Sequence, residues 1–250
     1  MNIFLFLKFI LLKMERKKYN VNYFEPEDGF EQYPYELPLE LHEKFQKLEK
    51  YFNKFYPEEI LEKAKKDAKT ESESRKFIKE NFIYGEVNFR SISYILLYLK
   101  YVYGIKEGYF YDLGSGTGRA IIGAALTHPF TKYIGIELLN TLYNASIEIK
   151  KIFDKENTEE KKPDIEFING DFLKQDLTKA SVIFINSTTF SDKLLEDLAL
   201  KFNEECQSGC IVVNTTMELS KLDKNKWDFL PYFRRYMSWG IATVNVYKRK

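Results

Sequence analysis

The sequence predicts an α/β fold, in which a doubly wound parallel sheet carries an antiparallel C-terminal hairpin and follows a helical N-terminal region. Three observations indicate this fold. After Gly108, short apolar runs alternate with stretches of helical periodicity, which is typical of a parallel sheet covered by helices. The first of these runs leads directly into a glycine-rich loop, where ligands bind in open α/β sheets. Near the C-terminus, two extended segments meet at Ser238-Trp239-Gly240, as the strands of a hairpin would.

The composition is that of a folded protein and excludes several other classes. The chain has 250 residues, of which 44% are hydrophobic and 30% charged, so it can bury a sizeable core and intrinsic disorder is a poor fit. Two cysteines and two histidines supply neither a disulfide framework nor a zinc ligand set, and we expect no metal. Because 38 basic residues nearly balance 37 acidic ones, no net charge attracts nucleic acid to the whole chain.

One local stretch is basic. Between Lys221 and Lys250 there are eight basic residues and two acidic ones. We expect weak or indirect contact with nucleic acid through this C-terminal region, with a solvated terminus as the alternative.

The first third of the chain is predicted to be helical. Apolar residues recur there at helical spacing in three stretches, each introduced by a proline or asparagine suited to a helix start: residues 38–55, 57–74 and 88–104. The second stretch becomes highly charged towards Ser74, and we expect this charge run to be a solvated face.

We divide the chain into an N-terminal extension and helical region, residues 1–81, and an α/β domain, residues 82–250. Residues 14–36 are predicted to form an irregular lead-in. The apolar run Met1–Leu12 is interrupted by Lys8 and is shorter than the roughly 20 residues that span a bilayer, so we expect no membrane segment. Basic residues follow this run, whereas a signal peptide has them before it, and a nuclear or cytoplasmic location is therefore expected.

The elements of the α/β domain follow from its alternating pattern. Short apolar runs bounded by turn residues predict five parallel strands at residues 109–113, 132–137, 164–168, 182–186 and 209–215. Helical periodicity between them predicts helices at residues 118–126, 139–153 and 192–205. Two further extended segments, residues 229–237 and 241–248, are expected to pair antiparallel at the sheet edge.

The most specific segment is the glycine loop Tyr111–Arg119, with the sequence Tyr-Asp-Leu-Gly-Ser-Gly-Thr-Gly-Arg. A dinucleotide fingerprint would need glycine where Arg119 stands, and the chain contains no Gly-Lys-Ser/Thr phosphate loop. Hydride transfer and P-loop phosphotransfer are therefore not supported. The spacing Asp-x-Gly-x-Gly-x-Gly instead resembles the first motif of class I S-adenosylmethionine-dependent methyltransferases.

Polar residues stand at the ends of the next three predicted strands. Glu137 ends the second strand, where a carboxylate can accept hydrogen bonds from both ribose hydroxyls of the cofactor. Asp171 follows the third strand, where it can accept from the adenine amine while Phe172 packs on the ring. Asn186 ends the fourth strand, the position from which class I enzymes usually address the methyl acceptor. Each residue alone could be a turn or cap residue, but their placement at successive strand ends favours a shared site.

The order of further motifs resembles one family within this class, the non-SET histone lysine methyltransferases named for disruption of telomeric silencing. The likeness extends over roughly residues 80–250. The motifs that carry it are Ile83–Phe89, Gly170–Leu173, Ser181–Asn186 with Phe190, Gly209–Val213 and Met237–Gly240.

The resemblance implies a cofactor, an acceptor and a set of site residues. The methyl donor would be S-adenosyl-L-methionine, the product S-adenosyl-L-homocysteine and the acceptor a lysine of a histone in the nucleosome core. Residues 82–250 would be the catalytic domain, and Asn186 would stand at the methyl-transfer centre as the catalytic residue. The implied cofactor-binding residues are Tyr84, Glu86, Asp112, Gly114, Gly116, Glu137, Asp171 and Phe172.

The residues expected near the acceptor lysine differ from the family pattern more than the residues expected near the cofactor. Val87 stands where the family loop has threonine, and Ser187 and Thr188 replace an asparagine and an aromatic residue. Val246 lies near the position of a channel tyrosine, and only Lys248-Arg249-Lys250 follows the hairpin in place of a long basic segment.

Alternative functions therefore stay open. They are methylation of a non-histone protein, of RNA or of a small molecule, and a non-catalytic scaffold that binds S-adenosylmethionine. The chain lacks the Asn/Asp-Pro-Pro-Tyr/Phe motif, which argues against methylation of a base amine.

Overall fold

The computed structural model describes residues 39–74, 85–158 and 160–250. Three predictions lie outside these residues: the apolar run Met1–Leu12, the lead-in 14–36 and the cofactor contact of Tyr84. None of the helices in the described part of the chain has both the length and the hydropathy of a bilayer span.

Six α-helices and seven strands form in the described residues. The helices are α1 Leu39–Asn53, α2 Glu58–Ser74, α3 Phe89–Tyr98, α4 Arg119–Thr127, α5 Asn140–Glu156 and α6 Asp192–Glu205. The strands are β1 Tyr109–Leu113, β2 Lys132–Glu137, β3 Ile165–Asn169, β4 Ala180–Asn186, β5 Ile211–Thr215, β6 Trp227–Met237 and β7 Gly240–Arg249.

The element boundaries follow local chemistry. The side chain of Asn88 accepts a hydrogen bond from the Ser91 amide and so caps α3, as its position in the sequence predicts. A π-helical turn, Leu99–Tyr103, extends this helix to Gly104, which ends it in the left-handed conformation. Strand β5 begins two residues later than predicted because Gly209 has a φ of 88° and does not continue the strand.

The seven strands form one sheet in the order β3-β2-β1-β4-β5-β7-β6. Strands β1 to β5 are parallel, whereas β7 runs antiparallel to both β5 and β6. This arrangement confirms the predicted doubly wound sheet with an antiparallel C-terminal hairpin. The strand order reverses between β1 and β4, so a crevice opens there at the carboxyl ends of the strands.

Helices cover both faces of the sheet. One face buries Phe110 and Phe184 against α3, α4 and α5, and the other buries Leu113 and Ile183 against α6. The N-terminal helices belong to the first of these cores, because Phe52 of α1 packs on Phe89 with ring centroids 5.0 Å apart. The division of the chain at residue 81 remains a prediction, and the aromatic core continues across it.

The charged helix α2 is less exposed to solvent than the sequence predicts. Ala64, Ala68 and Ser72 are buried along one side of it, and the first two pack against α5. Within its charge run, Glu71 bonds the start of α5 and is half-buried. The expectation is thus wrong for this residue, because a carboxylate that satisfies helix amides is stabilised at the interface.

Candidate active site

A cleft of about 320 Å³ opens at the point where the strand order reverses. It gathers residues from the carboxyl ends of the parallel strands and from the loop that precedes α3. The predicted site residues on its lining are Glu86, Asp112, Gly114, Gly116, Glu137, Asp171, Phe172 and Asn186. All the predicted site residues that the structure describes therefore meet in one place.

The glycine loop shapes the floor of this cleft. Gly114, Gly116 and Gly118 have φ values of 85°, 54° and 87°, a region that residues with a side chain rarely adopt. A Cβ at Gly118 would also lie 2.5 Å from the Phe167 ring. The amide of Gly114 donates to the Ile136 carbonyl at 2.9 Å, so the loop lies close along β2. Because Gly114 and Gly116 line the cleft and have no side chains, the loop backbone is accessible to a ligand.

Glu137 is buried at the end of β2, and backbone amides orient both of its oxygens. Oε2 accepts from the Gly116 amide and Oε1 from the Leu139 amide, each at 2.8 Å. Burial raises the pKa of this carboxyl, although these hydrogen bonds partly oppose the rise. Because each carboxylate oxygen has two lone pairs, both oxygens can still accept a hydroxyl group of a ligand.

Asp112 presents a buried carboxyl group to the cleft. It is 3% exposed, and no hydrogen bond reaches its side chain from the residues described. Burial raises its pKa well above the ordinary value, and the neighbouring Glu137 charge adds to the rise. A buried carboxyl without a donor is costly, so this geometry fits a ligand that brings a positive charge or a donor.

The part of the cleft beyond β3 is apolar with one acidic residue. The side chain of Asp171 accepts from the Leu173 amide at 2.9 Å and so begins a 3₁₀ turn, Phe172–Lys174. The Phe172 ring stacks on Phe190, with centroids 5.8 Å apart and planes 24° apart. Leucines complete this part of the lining: Leu138, Leu139, Leu142, Leu173 and Leu194. Such a surface suits a planar ring that carries a donor.

Asn186 holds the cleft together through its side-chain amide. Its Nδ2 donates to the Gly85 carbonyl at 2.9 Å. Its Oδ1 accepts from the hydroxyl groups of Thr188 at 2.9 Å and Thr215 at 2.8 Å. Both lone pairs of the oxygen are therefore engaged, and one N–H of the amide has no partner among the residues of the described ranges. Thr188 thus contributes directly to the orientation of Asn186.

The C-terminal hairpin packs against the loop before α3, which lines the cleft. The amide of Glu86 donates to the Ser238 hydroxyl at 3.1 Å, and Asn88 donates to the Tyr236 carbonyl at 2.6 Å. The Trp239 ring lies so close to Gly85 that a Cβ there would be 2.6 Å from it. Two motifs about 150 residues apart in sequence, each singled out by its resemblance, are therefore in contact.

Arg119 is a site residue that the sequence reasoning missed. It is the one cation on the lining as far as the structure describes it, and its Nε lies 3.7 Å from Oε2 of Glu86. The guanidinium stacks over the rings of Phe52 and Tyr56, 5.0 and 4.5 Å from their centroids. The sequence marked Arg119 only as the residue that breaks the dinucleotide fingerprint. No local signal links it to aromatic residues from the N-terminal region.

Tyr56 is buried beside this arginine. Its hydroxyl group is without a hydrogen-bond partner in the described structure. Burial raises the pKa of Tyr56 well above its ordinary value, Arg119 lowers it in part, and Glu86 and Asp112 raise it further. The phenol therefore stays neutral, and its ring serves as a stacking surface for Arg119.

The sequence matches a known family. Residues 65–228 match the profile described as Histone methylation protein DOT1. A Drosophila melanogaster histone-lysine N-methyltransferase, H3 lysine-79 specific, is 26% identical over 183 residues, which cover 66% of this chain and 10% of that protein. A protein of the same name from Gibberella zeae is 29% identical over 154 residues, 58% of this chain and 30% of that protein. The matched part is thus less than a third of the length of these relatives.

Two solved structures resemble the chain to different degrees. The Thermoplasma acidophilum protein 1320 superposes with a TM-score of 0.50 at 12% identity, covering 66% of this chain and 89% of that one. An RNA methyltransferase from Salinibacter ruber in complex with S-adenosyl-L-homocysteine superposes with a TM-score of 0.45 at 23% identity, covering 62% and 90%. The strand order and the first likeness confirm the predicted Rossmann-like α/β fold.

Proposed function

Because the chain belongs to the family of histone methylation proteins DOT1, we propose that it transfers a methyl group from S-adenosylmethionine to a lysine of a histone. The observation that carries the proposal is the convergence of the predicted site residues on one cleft at the sheet's switch point. Both curated relatives are named as specific for H3 lysine 79, which makes that lysine the first candidate acceptor.

The residues of the cleft fit S-adenosylmethionine, which has a charged amino-acid end, a ribose and an adenine. The buried carboxyl of Asp112 suits the ammonium group at the amino-acid end of the cofactor. Arg119 suits the carboxylate group at the same end. Glu137 would accept from the ribose hydroxyls with the lone pairs that its backbone contacts leave free. Asp171 and Phe172 would hold the adenine. When bound, the cofactor supplies a methyl group on a sulfonium, which is already activated for transfer.

The chain's own contribution is alignment and exclusion of water. Asn186 fixes Gly85 to the end of β4, and the hairpin holds the same loop from the other side. Alignment of the reacting atoms can supply much of the rate enhancement in a displacement reaction. The acceptor lysine has to be neutral when it attacks the methyl carbon, because a protonated amine has no lone pair to donate. Desolvation of a lysine at an apolar site lowers its pKa and favours that form.

A histone acceptor would fit a nuclear location, which we propose for this protein. The basic C-terminal stretch would then lie near nucleosomal DNA, although part of its charge is already engaged. Lys250 lies 3.6 Å from Asp228 and donates to the Lys224 carbonyl at 2.9 Å. We therefore propose that DNA contact through this stretch is weak and that the acceptor is chosen mainly at the cleft.

The proposal is tested by transfer of labelled methyl from S-adenosylmethionine to nucleosomes, free histones, whole-cell protein and RNA in parallel. We expect label on a histone lysine, and we expect Asn186→Ala to lower turnover about tenfold or more because the loop loses its attachment. Asn53→Ala changes an exposed asparagine outside the cleft and serves as the matched control.

Affinity for the cofactor is measured alongside by calorimetry, where Glu137→Ala and Asp171→Ala should both bind more weakly. Label only on a non-histone protein or on RNA would reassign the acceptor. Cofactor binding without any transfer would favour the scaffold, and unchanged affinity in both acidic variants would refute the site assignment.

A further inference from the structure

We propose that Glu71, on the charged helix α2, is a positioning residue of the cofactor site. It would hold the corner between β2 and α5, which carries Glu137, without contacting the cofactor itself. The inference rests on the proposed binding of S-adenosylmethionine, and it assigns part of that site to the N-terminal helical region.

Glu71 supplies the N-terminal cap of α5 from a distant part of the chain. Its Oε1 accepts from the Asn140 amide at 3.0 Å. Its Oε2 accepts from both the amide and the hydroxyl group of Thr141, each at 2.9 Å. The residue at the N-cap position of α5, Leu139, has no side chain that could do this. The first amides of a helix need acceptors, and a carboxylate is the favoured one there.

The same corner carries Glu137, the residue predicted to bind the ribose of the cofactor. The Leu139 amide donates to Glu137, so three consecutive amides, those of residues 139, 140 and 141, are held by two carboxylates. One carboxylate comes from β2 and the other from α2. Movement of the first turn of α5 would therefore remove a backbone donor that orients Glu137.

Helix α2 also supports the apolar wall of the cleft. Leu139 and Leu142 line the cleft, and both belong to a buried cluster with Ala64 and Ala68 of α2. The small alanine side chains let the two helices approach closely. Glu71 lies on the same helix, one turn beyond Ala68, so its hydrogen bonds and this packing fix a single orientation of α5 relative to α2.

The charge of Glu71 reaches Glu137 as well. The Glu71 carboxylate on α2 acts on Glu137, and Glu137 acts in turn on Asp112 of β1. After burial, the Glu71 charge is a further cause of the raised pKa of Glu137. Removal of this charge should let Glu137 stay ionised at lower pH. Because burial is the largest cause of this raised pKa, a lower value in a variant is assigned to the lost charge only where the variant unfolds at the same urea concentration as the wild type.

The experiment measures binding of S-adenosylhomocysteine to the full chain by calorimetry between pH 5 and 8. Glu71→Ala should weaken affinity about three- to tenfold at pH 8, the effect of losing charge-assisted hydrogen bonds behind the site. Thr141→Val should weaken it less, because only one of the three hydrogen bonds is lost. Glu71→Gln should move the pH at which affinity falls to a lower value. Glu73→Gln, an exposed glutamate on the same helix, should change neither quantity.

Each outcome decides between the proposals. Wild-type affinity in Glu71→Ala, or in Glu71→Gln and Thr141→Val if the alanine variant does not fold, would overturn the role of Glu71 and leave the proposed function intact. An unchanged pH profile in Glu71→Gln would reduce Glu71 to a structural cap and so also overturn it. A wild-type chain that binds no S-adenosylhomocysteine would overturn the proposed function and the inference together.

Discussion

Asp112 illustrates how a single residue can reduce stability in favour of binding. Its carboxyl group is buried beside Glu137, and neither carboxyl has a cationic partner at hydrogen-bond distance in the described structure. Sites that bind a charged ligand commonly carry such groups, because the ligand supplies the missing partner. We therefore expect the residue to be unfavourable in the free protein and favourable in a complex with a ligand that supplies this partner.

We predict that Asp112→Asn stabilises the free protein by about 0.5–2 kcal/mol at pH 8 and weakens binding of S-adenosylhomocysteine. The raised pKa of Asp112 means that the folded state favours the protonated acid, so its contribution to stability is present at low pH and lost as pH rises. The advantage of the variant should therefore diminish towards pH 4. Urea unfolding at several pH values measures it, and an equal gain at every pH would contradict the explanation.

At the scale of elements, the cleft depends on contact between the loop before α3 and the β6–β7 hairpin. The loop is held by Ser238 and Trp239 at the hairpin turn and by Asn186 at the end of β4. Neither segment has regular structure of its own at the point of contact. The geometry of this side of the site is therefore set by the docking of two elements and not by either one.

A substitution at Gly85 tests this dependence. A Cβ would lie 2.6 Å from the Trp239 ring, so Gly85→Ala must displace the ring or the loop, at a cost of about 1–3 kcal/mol. We expect lower stability in thermal unfolding and weaker binding of S-adenosylhomocysteine. Combining it with Trp239→Ala should cost less than the sum of the two single changes, because the clash disappears. Additive effects would show that the two residues act independently.

At the scale of the whole molecule, stability depends on pH through buried groups far from the cleft as well as within it. His128 lies between α4 and β2, and burial lowers its pKa to about 4. Its Nε2 lies 3.3 Å from the Lys106 carbonyl, while Nδ1 has no partner in the described residues. The imidazole is therefore neutral in the folded protein at any pH above about 4.

We expect His128 to lower the free energy of unfolding by about 2 kcal/mol as the pH falls from 7.5 to 5. Its stabilising contribution is complete above the ordinary histidine pKa and is lost as pH falls, because the unfolded chain binds the proton first. Asp112 and Glu137 have the opposite sign over this range, so the wild-type curve alone is ambiguous. The difference between wild type and His128→Gln isolates the effect, and parallel curves for the two proteins would exclude it.

The sequence by itself determined the sheet, the glycine loop and most of the cleft. These features are local or follow from strand direction: left-handed glycines are required at Gly114 and Gly116, and the ends of parallel strands meet at one edge. Asp112, Glu137 and Asn186 could therefore be predicted to lie together from their positions alone.

Only the tertiary structure decided which distant side chains complete the site. The contacts of Glu71 with α5, of Arg119 with Tyr56 and of Gly85 with Trp239 join segments that are far apart in the chain. Periodicity and spacing describe which face of an element is buried, but they do not specify the partner that covers it. That choice depends on how whole elements dock, which is determined by packing over many residues at once.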